Sequence, residues 1–178
     1  TTLRPAELPG GGVGEVPLTP IMHEVLSWPG GFDRFSQIVA VTLPSGIDQD
    51  VLVRTIGAVV DHHDALRSIL ERGTDGEHVL RVRAAGSVDP VSILERVELP
   101  AGISDADLTI VAEREIDAAL GRLDPGSGSV LRFVWFDFGG ERAGILAVVA
   151  HHLVVDGVSW RILLPDLGLA WGQIVSGR

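Results

Sequence analysis

The sequence predicts an α+β fold, a mixed sheet flanked by helices. Two runs, VLRFVWFDF (130–138) and AGILAVVA (143–150), are dense in apolar and β-branched residues and read as central strands covered on both faces. Separate stretches carry helical apolar spacing behind a capping residue. Strands and helices do not alternate strictly, which argues for layers rather than a repeated βαβ unit. At 178 residues the chain is one domain, or a large lobe of a bigger one.

The elements follow in order. Residues 1–17 are rich in Gly and Pro and read as a linker leading into a folded unit over 18–178. Thr19 and Pro20 suit the cap and first position of a helix ending near Trp28, before Pro29-Gly30-Gly31. FSQIVAVTL (35–43) reads as a strand. A helix over 48–63 has Asp48 as its cap and Leu52, Ile56, Val59, Val60 and His63 on one face. LRSILER and EHVLRVR flank GTDG, a hairpin signal. SILERVEL (92–99) is a further strand. Ser104 and Asp107 resemble a capping box for a helix to about Leu120, burying Leu108, Val111, Ile116 and Leu120. Gly157–Val175 is the last helix, with Pro165 expected to kink or delay it.

Composition narrows the function. The net charge of −10 argues against nucleic acid, whose phosphates need clustered Lys and Arg. No basic amphipathic helix is present for a membrane surface, and no apolar stretch reaches the ~18 residues of a span. There is no cysteine, so neither disulfide framework nor thiolate chemistry arises. The N-terminus does not read as a signal peptide, so a cytoplasmic location is expected. The hydrophobic content of 46% is slightly high for a free monomer, as if some apolar surface were meant for a partner.

The chemistry concentrates in AVVAHHLVVDGVSWRIL (147–163), where an apolar strand ends on two histidines. Adjacent residues of an extended chain point to opposite faces, so His151 and His152 cannot easily share a metal, and only one can face a given cleft. Three readings are open. The pair can be satisfied core histidines. One imidazole can ligate a metal with Asp156, although no third ligand stands at a familiar spacing. Or His152 is a neutral base at a cleft mouth, kept uncharged by apolar neighbours. A serine hydrolase fits less well: Arg161 stands where G-x-S-x-G needs its second glycine, and Ser159 reads as a first-turn helix residue. His62 and His63 suit a helix C-terminus. Trp160 reads as core.

HHLVVDG (151–157) resembles the HHxxxDG motif of the condensation-domain superfamily of nonribosomal peptide synthetases. HHDALRSIL (62–70) and PLTPIMHEVL (17–26) are similar to two upstream family segments, in the family's order. DGVSWRILLPDL looks most like the epimerization subfamily, while Met22, Glu24 and Val25 stand where its opening motif has Gln, Trp and Phe.

The resemblance implies a chloramphenicol-acetyltransferase-like lobe, the N-terminal one of two, with the C-terminal lobe absent and a truncation after Arg178 expected. It implies His152 as the catalytic residue of a tunnel between the lobes. In an epimerization domain His152 exchanges the α-proton of an aminoacyl or peptidyl thioester; in a condensation domain it orients or deprotonates an amine. The substrate arrives on the phosphopantetheine arm of a peptidyl carrier protein, and no cofactor or metal is bound directly. His151 shapes the loop, Gly157 keeps the tunnel wall clear, and Asp156 pairs with a buried Arg67, tying the catalytic loop to the strand after helix 48–63. A non-catalytic docking lobe and a stand-alone acyltransferase completed by oligomerisation are the alternatives.

Overall fold

A computed structural model describes residues 12–29, 31–32, 34–73, 76–140 and 142–177. Its spine is a four-stranded sheet in the order β2 (Ser36–Ser45), β7 (Ala143–His151), β6 (Leu131–Asp137), β5 (Leu94–Glu98). The β5–β6 pair is parallel and the other two pairs are antiparallel, so the sheet is mixed as expected. The two apolar runs, β6 and β7, are its inner strands.

Alternation along these strands builds a core on each face. Leu131, Phe133 and Trp135 of β6, with Leu146, Val148 and Ala150 of β7, meet Leu52, Ile56, Val59 and Val60 of α2 (Gln49–His62). α4 (Trp160–Val175) packs partly against that same core through Leu163 and Leu167. On the opposite face Val134, Phe136, Ala147 and Val149 meet α3 (Asp105–Gly121). The result is α2/α4, sheet, α3. In α3 the fully buried residue is Ala119; the four apolar residues expected inside are half-buried around it.

A second, antiparallel sheet runs β1 (Gly14–Val16), β4 (His78–Val82), β3 (Ser68–Arg72). The hairpin signal is thus borne out as β3–β4, although Thr74 and Asp75 of its turn lie outside the described residues. So does most of the 1–17 linker; within it, Gly14–Val16 is not loose but pairs with β4. α1 (Pro20–Leu26) lies on this small sheet, with Val25, Leu70, Leu80 and Leu153 forming a third cluster.

The caps behave as local chemistry dictates, with two differences. Asp48 accepts from the N–H groups of Asp50 and Val51 at 2.8 and 3.1 Å. Ser104 Oγ accepts from Asp107 N–H at 3.1 Å, but the Asp107 carboxylate, a methylene shorter than Glu, accepts from the Ser104 hydroxyl at 2.7 Å. Thr19, expected to cap α1, makes no side-chain cap bond; Pro20 at the first turn already lacks one of the orphan donors. α4 begins at Trp160, three residues later than expected, and continues through Pro165.

Candidate active site

β7 delivers the two histidines. His151 is its last residue and is fully buried. Its Nε2–H donates to the Phe32 carbonyl at 2.9 Å, and its Nδ1 accepts from Leu153 N–H at 3.2 Å. Both ring nitrogens are engaged, which specifies the Nε2–H tautomer and turns the chain sharply after the strand.

His152 is the first residue beyond the strand and points the other way. Its backbone N–H donates to the Phe35 carbonyl at 2.7 Å. Its half-buried imidazole stacks flat on Phe35, ring centroids 4.4 Å apart and planes 4° from parallel. The ring lines a cavity of about 470 Å³ between α1 and the 152–156 loop, walled mostly by apolar groups: Ile21, Met22, Val25, Phe35 and Val154. Gln37 holds His152 from β2, its Nε2 lying 2.7 Å from His152 Nε2. The other end of that amide, Gln37 Oε1, accepts from the indole N–H of Trp160 at 2.7 Å. Gln37 sits opposite Ala150 in the β2–β7 register, with the parity of Val41 and Leu43, so it faces α4 rather than α3.

Asp156 is exposed and works locally. Its Oδ1 accepts from Ser159 Oγ at 2.7 Å, Ser159 N–H at 2.7 Å and Val158 N–H at 3.0 Å. Its own N–H donates to Ser159 Oγ at 3.0 Å. Hydrogen bonds from Ser159, side chain first and then backbone, hold its carboxyl below the ordinary aspartate value against the opposing effect of desolvation, with Val158 N–H and the nearby His152 adding to them. Ser159 is spoken for by this turn and is not poised as a nucleophile.

The expected Arg67–Asp156 pair is corrected. Arg67 is 3% exposed, and its guanidinium donates to the carbonyls of Val60 (2.9 Å), Asp61 (2.6 Å) and Arg83 (3.0 Å) and to the Asp64 carboxylate. The cause is the end of α2. His63 leaves the helix in an extended conformation, so carbonyls of the last turn have no helical donor. The single 3-10 turn Asp64–Arg67 brings the guanidinium back onto them. Arg67 therefore closes α2 and ties it to β4, and among the described residues no bond joins it to Asp156.

Gly157 has no left-handed φ, and a Cβ there would meet no atom within 4 Å, so the chain's own packing does not demand glycine at this point. His62 ends α2 and His63 caps it, as expected; His63 Nε2 bonds Asp166 of α4 at 2.9 Å. Sequence reasoning missed Gln37 and Phe35, and it placed Trp160 only as core. A lone amide within an alternating apolar strand, on the inward parity, was the available signal for Gln37.

Comparison with known proteins is consistent across three kinds of match. The family model described as Condensation domain matches residues 31–178. A linear gramicidin synthase of Brevibacillus parabrevis is 37% identical over 166 residues, covering 93% of this chain and 2% of that protein. Surfactin synthase subunit 1 of Bacillus subtilis is 32% identical, covering 93% of this chain and 4% of that protein. Among solved structures, the epimerization domain from the third module of tyrocidine synthetase B superposes with a TM-score of 0.75 at 26% identity, over 93% of this chain and 36% of that one. The first condensation domain of the calcium-dependent antibiotic synthetase gives 0.75 at 19% identity, over 92% and 39%, a likeness of fold. The chain thus spans a few per cent of the curated relatives and little more than a third of the solved domains. Among the described residues no helix is long and apolar enough to cross a membrane.

Proposed function

The chain belongs to the condensation-domain family, and from that premise we propose that it is the N-terminal lobe of an epimerization domain of a nonribosomal peptide synthetase. In this reading a carrier protein presents an aminoacyl or peptidyl thioester on its phosphopantetheine arm, and a C-terminal lobe supplies the facing wall. The observation that carries it is the His152 imidazole, half-buried on a loop braced by His151 and lining a mostly apolar cavity.

The chemistry follows from the substrate. A thioester carbonyl acidifies the α-carbon's proton. His152 takes that proton as the C–H bond breaks, leaving an enolate; an acid on the facing lobe delivers a different proton to the opposite face, which inverts the centre, and the imidazolium then gives its proton to water to restore the base. A positioned base of this kind contributes roughly 10²–10⁴-fold. Asp156 acts by holding the turn between His152 and α4, not by touching the imidazole. Arg67 supports the scaffold one step further away.

The 26% identity with an epimerization domain and the DGVSWRILLPDL run favour epimerization. Peptide-bond formation, with His152 serving the attacking amine, is the second reading, favoured by the family-model match.

The test loads the full two-lobed protein with an L-aminoacyl thioester in deuterated water. Epimerization predicts deuterium at the α-carbon and D-product, both lost in His152→Ala with the fold retained by circular dichroism. Absence of exchange in the wild type refutes epimerization. Undiminished turnover in His152→Ala refutes the role of His152 under either reading.

A further inference from the structure

The contact between Gln37 and His152 has a polarity that Trp160 decides. An indole N–H can only donate, so the end of the Gln37 amide it meets at 2.7 Å must be the carbonyl oxygen. Flipping the amide would set two donors face to face. The NH₂ end therefore points at His152 Nε2, also 2.7 Å away, and a ring nitrogen approached by a donor at that distance must accept. We infer that Trp160 and Gln37 are positioning residues that hold neutral His152 as the Nδ1–H tautomer, with the Nε2 lone pair facing the amide.

The assignment is opposite to that of His151, whose Nε2 donates to a carbonyl. One dipeptide thus carries two imidazoles in two different tautomers, each set by a different neighbour. The second makes Nε2 the proton-accepting atom. It also makes Gln37 a placeholder: a proton arriving on Nε2 would oppose the amide N–H, so proton uptake displaces the amide. The geometry comes from three elements, β2, the turn after β7 and the start of α4, so neither side chain is replaceable by local sequence. The consequence for catalysis rests on the reading of His152 as the base; the tautomer does not.

Imidazole ¹⁵N spectra of the ¹⁵N-histidine-labelled chain, recorded where the ring is neutral, separate the two. The His152 signals are assigned by their loss in His152→Asn. The wild type should show a protonated, pyrrole-type Nδ1 and an unprotonated, pyridine-type Nε2. Trp160→Phe, which removes only the donor, should convert this to a mixture. Gln37→Glu, which accepts at both ends, should reverse it. A wild-type ring protonated at Nε2, or a tautomer unmoved in both variants, overturns the inference. In the two-lobed protein Gln37→Glu should lower kcat by roughly 10²–10⁴-fold with KM little changed. A tautomer that reverses with kcat intact leaves the relay standing and removes His152 from the chemistry.

Discussion

Replacing Arg67 by Met tests how the end of α2 is held. Methionine keeps the apolar stem and removes the guanidinium. The structure then leaves three carbonyls, of Val60, Asp61 and Arg83, without their donor, and the Asp64 carboxylate without its cation. A buried acceptor left unpaired costs about 1–3 kcal/mol, and breaking a buried charged network about 3–5 kcal/mol. The Asp61 and Asp64 groups reach water and recover part of the loss, so about 3–5 kcal/mol is the expected total rather than the sum of the parts. In a chain of this length that lowers Tm by roughly 6–20 °C. Urea unfolding followed by tryptophan fluorescence measures it, and a double-mutant cycle locates it. Arg67→Met and Asp64→Ala share a contact and should be non-additive, whereas Arg67→Met and Asp156→Ala share none and should add. A double variant of the second pair that loses clearly less than the sum would show that Arg67 and Asp156 act as a pair after all. A loss below about 1 kcal/mol for Arg67→Met would refute the helix-closing role.

Other outcomes follow from the same geometry. His151→Leu keeps an apolar group in place but strands the Phe32 carbonyl and Leu153 N–H, and should cost about 2–4 kcal/mol in urea unfolding; stability within about 0.5 kcal/mol of wild type would contradict the bracing role of these two bonds. Gly144→Ala places a methyl group 2.8 Å from Trp135 Nε1 and 3.2 Å from the Phe136 carbonyl, so overpacking should destabilise by about 1–3 kcal/mol, read as a lower Tm. Asp156 has a folded-state pKa below its ordinary value, so its contribution is present above the ordinary carboxylate range and lost as pH falls through the folded value. Asp156→Asn should therefore lose less stability on acidification than the wild type, and equal acid sensitivity would refute the link.

What the sequence made legible was chiefly local. The caps at Asp48 and Ser104, the β3–β4 turn and the apolar runs of β6 and β7 each follow from residues within a few positions of one another. The histidine motif was legible in part: adjacency on a strand says that the two rings face opposite ways, while the choice of His152 as the outward one came from the family resemblance. Gly14–Val16 was not, since a glycine-led triplet has no strand signature until β4 supplies the register. The error at Arg67 is instructive. Resemblance assigned it a distant carboxylate, while nearer at hand α2 ended without a glycine cap and offered carbonyls in need of a donor. Gln37 stood out only as an amide on an inward parity; its partners were hidden because they depend on β2 lying beside β7, a pairing that the order of the elements does not announce.

The distance along the chain between these partners has a kinetic corollary. Gln37 is 115 residues from His152 and 123 from Trp160. Contacts that close so long a loop are rewarded only after most of the chain has been ordered, which makes them late events in folding. During synthesis β2 emerges well before its neighbour and must wait for β7 with one ladder unfilled. A chain that has paired β3 with β4 but not yet seated α4 already has its small sheet and no oriented imidazole. The clamp on His152 is therefore a marker of completion, and its tautomer should be among the last properties a refolding lobe acquires.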